Sequence, residues 1–204
     1  MIKKTLFTER SSSAQWKQTR KKGILLQNKK MGIDIYHYTI KDEKDKVMYD
    51  TIGISEPTGG CIIVLVNQNG DLGLINQYRP IPDKIFISCI RGFNEDHLIP
   101  DAIVKKELME EANIRSITLI KQLGIVYPNT TYFINPISVY LVCVETLDTL
   151  TDLKSHVSAR VEGISSITYY TKESVWNMIA QNEIQCQMTL SALMLYFSTS
   201  TYQM

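Results

Sequence analysis

Two apolar runs joined by a short polar turn constrain this chain more than any other feature. Cys61–Val66, the turn Asn67–Asp71 and Leu72–Asn76 read as strand, Asn-Gly-type turn and strand, and this hairpin begins a main sheet. Upstream, Ile35–Ile40 and Val47–Ile54 flank the charged turn Lys41–Lys46 and predict an N-terminal antiparallel subsheet. Downstream, Pro80 and Pro82 interrupt the pattern, Ile85–Ile90 resumes as a short strand, and Arg91–Leu98 is a loop with one glycine and several polar residues. A helix of about three to four turns starts at Pro100, with Asp101 favouring the positive end of its dipole and Asn113 suited to a left-handed cap. Further strands are expected at Ile117–Ile125, Ile137–Val144 and Ile164–Tyr170, and helices at Glu173–Ala180 and Thr189–Phe197. Mixed strands with few helices predict an α+β fold, an α/β/α sandwich rather than a doubly wound sheet. The expected division is an N-terminal β region, 1–56, and a main domain, 57–204.

Composition narrows the function classes. The 204 residues are 44% hydrophobic and 21% charged, enough for a full core, and 22 basic against 21 acidic side chains leave a net charge of +1. No overall charge excess points to nucleic acid or membrane, and the longest apolar runs are too short to span a bilayer. The N-terminus lacks an apolar stretch followed by a small-residue cleavage site, so the expected location is the cytoplasm. Residues 1–30 hold nine basic side chains and one acid, whereas the remainder has 13 basic against 20 acidic. Interspersed with Trp16, Ile24, Leu25 and Leu26, these charges read first as the solvated faces of strands; a nucleic-acid contact is the minor alternative. Cys61, Cys89, Cys143 and Cys186 are scattered without zinc spacing and are expected to be buried free thiols.

The chemistry is concentrated in the helix from Pro100. Glu107, Glu110 and Glu111 stand at i, i+3 and i+4, hence on one face, where like charges repel and a counter-charge is favoured. A hard divalent cation, Mg²⁺ or Mn²⁺, would supply it through carboxylate oxygens. Taken alone, a solvated acidic face is the plainer reading of the triplet.

The triplet sits in a longer pattern. Gly92, Leu98 and Lys106-Glu107-Leu108-Met109-Glu110-Glu111-Ala112-Asn113-Ile114 follow the spacing of G-x5-E-x7-R-E-U-x-E-E-x-G-U, with U a bulky aliphatic residue; six of nine specified positions agree. This segment resembles the Nudix box. Gln77-Tyr78-Arg79-Pro80, Arg91-Gly92-Phe93 and Leu123–Asn129 extend the resemblance towards the ADP-ribose pyrophosphatase branch, as do Trp176–Ile179 and Thr189–Leu193. The chain departs from the box at Leu98 for glutamate, Lys106 for arginine and Asn113 for glycine. It also carries Ser88 and Ile90 where the branch often has glutamate and proline.

The resemblance implies a Nudix-like α/β/α sandwich with a mixed central sheet, beside an N-terminal antiparallel subsheet that serves as a dimerisation arm. It implies Mg²⁺-dependent (or Mn²⁺-dependent) hydrolysis of the pyrophosphate bond of a nucleoside diphosphate derivative, ADP-ribose first, by a homodimer. Glu107, Glu110 and Glu111, with the Arg91 carbonyl, would hold metal, Glu95 replacing the acid lost at Leu98. Glu111 and Glu162 would be the catalytic pair, Glu162 as general base in a later loop, though a surface glutamate is an equal reading there. Arg79 would clamp a phosphate with its donor fork, the alternative being a structural ion pair. Trp16 could stack on adenine, against packing in a hairpin, and Tyr127 would shape the substrate loop. Two other functions stay open: a nucleotide sensor without turnover, and a hydrolase of a nucleoside triphosphate or dinucleotide.

Overall fold

The computed structural model describes residues 16–29, 32–56, 60–93, 98–145 and 150–201. The chain divides into two compact units, 1–56 with 129–134, and 57–128 with 135–204.

In the first unit, β1 (Trp16–Asn28), β2 (Ile33–Asp42) and β3 (Val47–Ser55) form an antiparallel sheet in that order. The β2–β3 turn is held by Asp42, whose Oδ1 accepts from the Lys44 and Lys46 amides at 2.9 Å each. Asp45 takes the left-handed conformation that closes it, at φ 60°. Tyr38, the buried centre of β2, lies over Gly53 so closely that a Cβ at residue 53 would collide with its ring. Residues 129–134 add to β3 through Ile54, which donates to the Tyr132 carbonyl at 2.7 Å and accepts from the Ile134 amide at 3.0 Å.

The second unit is built on β4 (Cys61–Asn67), β5 (Leu72–Arg79), β6 (Lys84–Ser88), β7 (Ile90–Gly92), β8 (Ile117–Val126), β9 (Ile137–Val144), β10 (Leu150–Asp152) and β11 (Ile164–Tyr170). Its mixed sheet runs β10-β11-β5-β4-β9-β8, with β4 parallel to β9 and its other pairings antiparallel. Every residue of β4 is buried, and its alternating side chains divide between two cores. Cys61, Ile63 and Leu65 pack with Ile103, Val104 and Leu108 of α1 (Pro100–Ala112) and with Ala159 of α2 (Val157–Val161). Ile62, Val64 and Val66 pack with Val175 and Met178 of α3 (Lys172–Ala180) and with Ala192, Leu193 and Tyr196 of α4 (Gln187–Thr201). The second unit is an α/β/α sandwich on a mixed sheet and the first is a small antiparallel sheet, as the sequence implies.

Three local features differ from the sequence reading. The expected strand Ile85–Ile90 is broken at Cys89 into β6 and β7, which pair with different neighbours, β5 and β4. The hairpin strands β4 and β5 pair with one another only at Leu65↔Gly73 and Val66↔Leu72 and then part, and β6 and β7 occupy the opening. At the break the Cys89 amide leaves the ladder and donates to Thr189 Oγ1 of α4 at 3.1 Å. Second, β10 and α2 are short elements that the sequence reading did not include. Third, all four cysteines are free, but only Cys61 and Cys89 are buried; Cys143 and Cys186 are half-buried, Cys186 because it precedes α4 at the sheet opening. Among the described residues no helix is long and apolar enough to cross a membrane.

Candidate active site

Helix α1 delivers the acidic residues to the opening between β4 and β5. Its start is fixed by Pro100 and its end by Asn113, which adopts φ 54° and ψ 32° and lets the Asn113 and Ile114 amides return to the Met109 and Leu108 carbonyls. Ile103, Val104 and Leu108 anchor the inward face, and that orientation buries Glu107 and Glu111 at 7% and 3% exposure while Glu110 stays exposed. The acidic triplet is thus split: the i, i+4 pair turns towards the sheet, and the i+3 member lies at the rim.

Strand β7 receives the pair. Gly92 leaves room for the Glu107 carboxylate: a Cβ there would occupy its space, so any side chain at this position forces the carboxylate to move. The adjacent Arg91 amide donates to Glu111 Oε2 at 3.4 Å, while the Arg91 guanidinium Nη1 stands 3.8 Å from Cys186 Sγ. Burial, with the Glu107 charge next, pushes the Glu111 carboxyl up to about 8; Glu162 adds to this, and the Arg91 amide and the Arg79 charge oppose it. Arg79, at the end of β5, is held below its ordinary value by burial and by Arg91, against the attraction of Glu111, Cys186 and Glu162. Arg79, Arg91, Glu111 and Glu162 therefore share one electrostatic neighbourhood.

Glu162 is the exposed residue that ends α2, and its backbone is tied to β5 at the neighbouring positions. Gln77 Nε2 donates to the Glu162 carbonyl at 2.9 Å, and the Tyr78 amide donates to the Gly163 carbonyl at 2.9 Å. Gln77 lies on the same face of β5 as Ile75 and Arg79, the face covered by α1. Among the described residues, Gln77 Oε1 and Ser88 Oγ are buried there without a hydrogen bond.

The remaining sequence-derived candidates are dispersed. Tyr127 is exposed just after β8, and Trp16 begins β1 in the first unit. Glu95 lies outside the described residues. Leu98, at the position where the box that this segment resembles has glutamate, packs half-buried against the α1 core. Two participants had no role in the sequence reading. Gln77 opens the Gln77-Tyr78-Arg79-Pro80 segment, and its signal in sequence was no more than an uncharged polar residue following the apolar run of β5. Cys186 is visible only in three dimensions: burial works against its thiolate, but the Thr189 hydroxyl and amide, the Arg91 charge and the Met188 amide together hold its pKa below the ordinary thiol range.

Two buried carboxylates side by side are oxygen donors of the kind a hard divalent cation takes, and the Glu107 charge raises the cost of ionising Glu111 when no cation is bound. Among the described residues no group of three or more His, Cys, Asp and Glu side chains is gathered tightly enough to hold a metal ion.

No protein-family model matches the chain, and no curated protein does. Among solved structures it is similar to a crystal structure of an ADP compounds hydrolase, at 13% identity and a TM-score of 0.65, over 89% of this chain and 92% of that one. At that identity the likeness shows the fold.

Proposed function

We propose that this chain is a divalent-metal-dependent hydrolase of the pyrophosphate bond in a nucleoside diphosphate derivative, with ADP-ribose as substrate and AMP and ribose 5-phosphate as products. The observation that carries the reading is the buried Glu107/Glu111 pair seated on Gly92 and the Arg91 amide, with Arg79 alongside. The α/β/α fold and the resemblance of residues 92–114 to the Nudix box support it, as does the likeness to the structure of an ADP compounds hydrolase.

Glu107 and Glu111, with Glu110 from the rim and the Arg91 carbonyl, would hold Mg²⁺ or Mn²⁺. When bound, the ion neutralises phosphate charge and makes water a better nucleophile. The protein's own groups account for the rest. The Arg79 guanidinium binds a phosphate through its fixed donor fork, offsetting the repulsion that an anionic pyrophosphate presents to a nucleophile. Glu162 accepts the proton of the attacking water as its oxygen bonds to phosphorus and the bridging P–O bond breaks. Attack at either phosphorus gives the same two products.

The test is hydrolysis of ADP-ribose by the purified protein with Mg²⁺, products identified by chromatography, beside Glu111→Gln. AMP and ribose 5-phosphate, lost in the variant, is the expected result; absence of turnover over a panel of nucleoside diphosphate sugars, triphosphates and dinucleotides would overturn it. Leu98, an apolar residue in place of an acid, favours a second reading: a nucleotide sensor, marked by saturable ADP-ribose binding without turnover. We also place a homodimer interface on the three-stranded sheet, where Ile24, Leu25, Leu26, Val47, Met48 and Tyr49 are exposed. Sedimentation of a single monomeric species at micromolar concentration would refute it.

A further inference from the structure

We infer that Gln77 is a positioning residue: from inside the sheet its amide fixes the backbone of the Glu162–Gly163 turn and so sets where the Glu162 carboxylate stands relative to Glu111 and Arg79. The inference rests on the reading of Glu162 as general base and adds a residue to which no role has been attached.

The geometry comes from both sides of the turn. Gln77 is fully buried, and its Nε2 donates to the Glu162 carbonyl at 2.9 Å. One residue on, the Tyr78 amide donates to the Gly163 carbonyl at 2.9 Å, and Gly163 adopts φ 73°. A Cβ on Gly163 would lie 2.7 Å from the Tyr78 carbonyl oxygen, so only glycine lets the turn approach β5 this closely. Beyond the turn the ladder is irregular: Ile164 pairs with Gln77, but the next pair is Ser166↔Asn76, so one residue of β11 bulges next to the attachment.

A regular ladder would hold β11 without help from a side chain. Here the ladder begins at Ile164, Gly163 is held by the Tyr78 amide, and the exposed Glu162 before it has its carbonyl bound by a buried glutamine rather than by a strand partner. The glutamine is costly where it stands, since its Oε1 is buried without a hydrogen bond among the described residues. A methionine of similar length would remove that orphan, while the Glu162 carbonyl, on an exposed residue, could turn to water. Gln77→Met is therefore expected to fold with a Tm equal to or above that of the wild type. What it loses is the tether. A general base must stand within hydrogen-bond reach of its water, so small displacements of the turn act on turnover rather than on binding.

The experiment is a double-variant cycle on the full chain with ADP-ribose and Mg²⁺, using Gln77→Met, Glu162→Gln and the pair, with hydrogen exchange of residues 160–166 measured on the same proteins. Gln77→Met is expected to lower kcat by about tenfold with KM within about twofold, and Glu162→Gln by about a hundredfold. The double variant should match Glu162→Gln alone, because a tether has no effect once the base is gone. Exchange in 160–166 should quicken in Gln77→Met and not elsewhere. Gly163→Ala, which displaces the same turn from its other side, should reproduce the kcat loss and likewise add nothing to Glu162→Gln.

Multiplying losses in the double variant, an unchanged kcat in Gln77→Met, or an indifferent Glu162→Gln beside an active wild type would each overturn the assignment while leaving the hydrolase reading intact. A wild type that turns over no substrate would instead remove the hydrolase reading, and with it the base that Gln77 is said to position. In that case exchange decides whether the tether exists at all, and unchanged exchange in Gln77→Met would refute it.

Discussion

Replacing Glu111 by glutamine should stabilise the metal-free protein, increasingly so as the pH rises. The Glu111 carboxyl is raised from 4.5 to about 8 by burial and by Glu107. Between those values the unfolded chain has released this proton and the folded protein has not, so stability falls with rising pH, and the penalty is complete above 8. From the two values it amounts to less than about 1 kcal/mol at pH 5, about 3 kcal/mol at pH 7 and about 5 kcal/mol at pH 9. Glutamine keeps the shape and a hydrogen-bond acceptor for the Arg91 amide without the charge. For a chain of this length about 3 kcal/mol corresponds to roughly 6–12 °C in Tm at pH 7. Thermal melts of both proteins in EDTA at pH 5, 7 and 9 measure the difference directly. Mg²⁺ should reverse the order above pH 8, since it binds the ionised wild-type pair and has less to bind in the variant. A Tm difference independent of pH, or a variant less stable at pH 9 in EDTA, would refute the reasoning.

Gly92→Ala should cost about 1–3 kcal/mol by forcing its Cβ into the Glu107 carboxylate, and should abolish turnover; denaturant unfolding and the ADP-ribose assay check each part. Arg79→Ala should raise KM for ADP-ribose by about tenfold to a hundredfold, the worth of a charged hydrogen bond, and isothermal titration of the product AMP should show the same direction. Cys186 should alkylate first with iodoacetamide at pH 7.5, because its pKa is lowered while burial pushes Cys61 and Cys89 up to about 12; mass mapping that finds either of those two modified first would contradict this.

What the sequence determined by itself is local. The β4–β5 hairpin follows from two apolar runs around an Asn-Gly turn, α1 from Pro100 at one end and Asn113 at the other, and the common face of Glu107, Glu110 and Glu111 from the 3.6-residue period. Each needs only neighbours in the chain. Tertiary structure decided which part of that face is used: packing of Ile103, Val104 and Leu108 rotates α1 so that Glu107 and Glu111 are buried and Glu110 is left at the rim. It also broke the strand expected over Ile85–Ile90, because β4 and β5 part after two residue pairs and the chain must serve one neighbour and then the other. Glycine at 92 fits a pattern in sequence, but its reason, room for a carboxylate from a helix fifteen residues on, exists only in the folded chain. The Gln77 tether to Glu162 and the Arg91 contact with Cys186 join residues 85 and 95 positions apart. No periodicity or propensity reaches that far, because contacts at such separation are set by how the sheet is ordered rather than by the conformational preference of either residue.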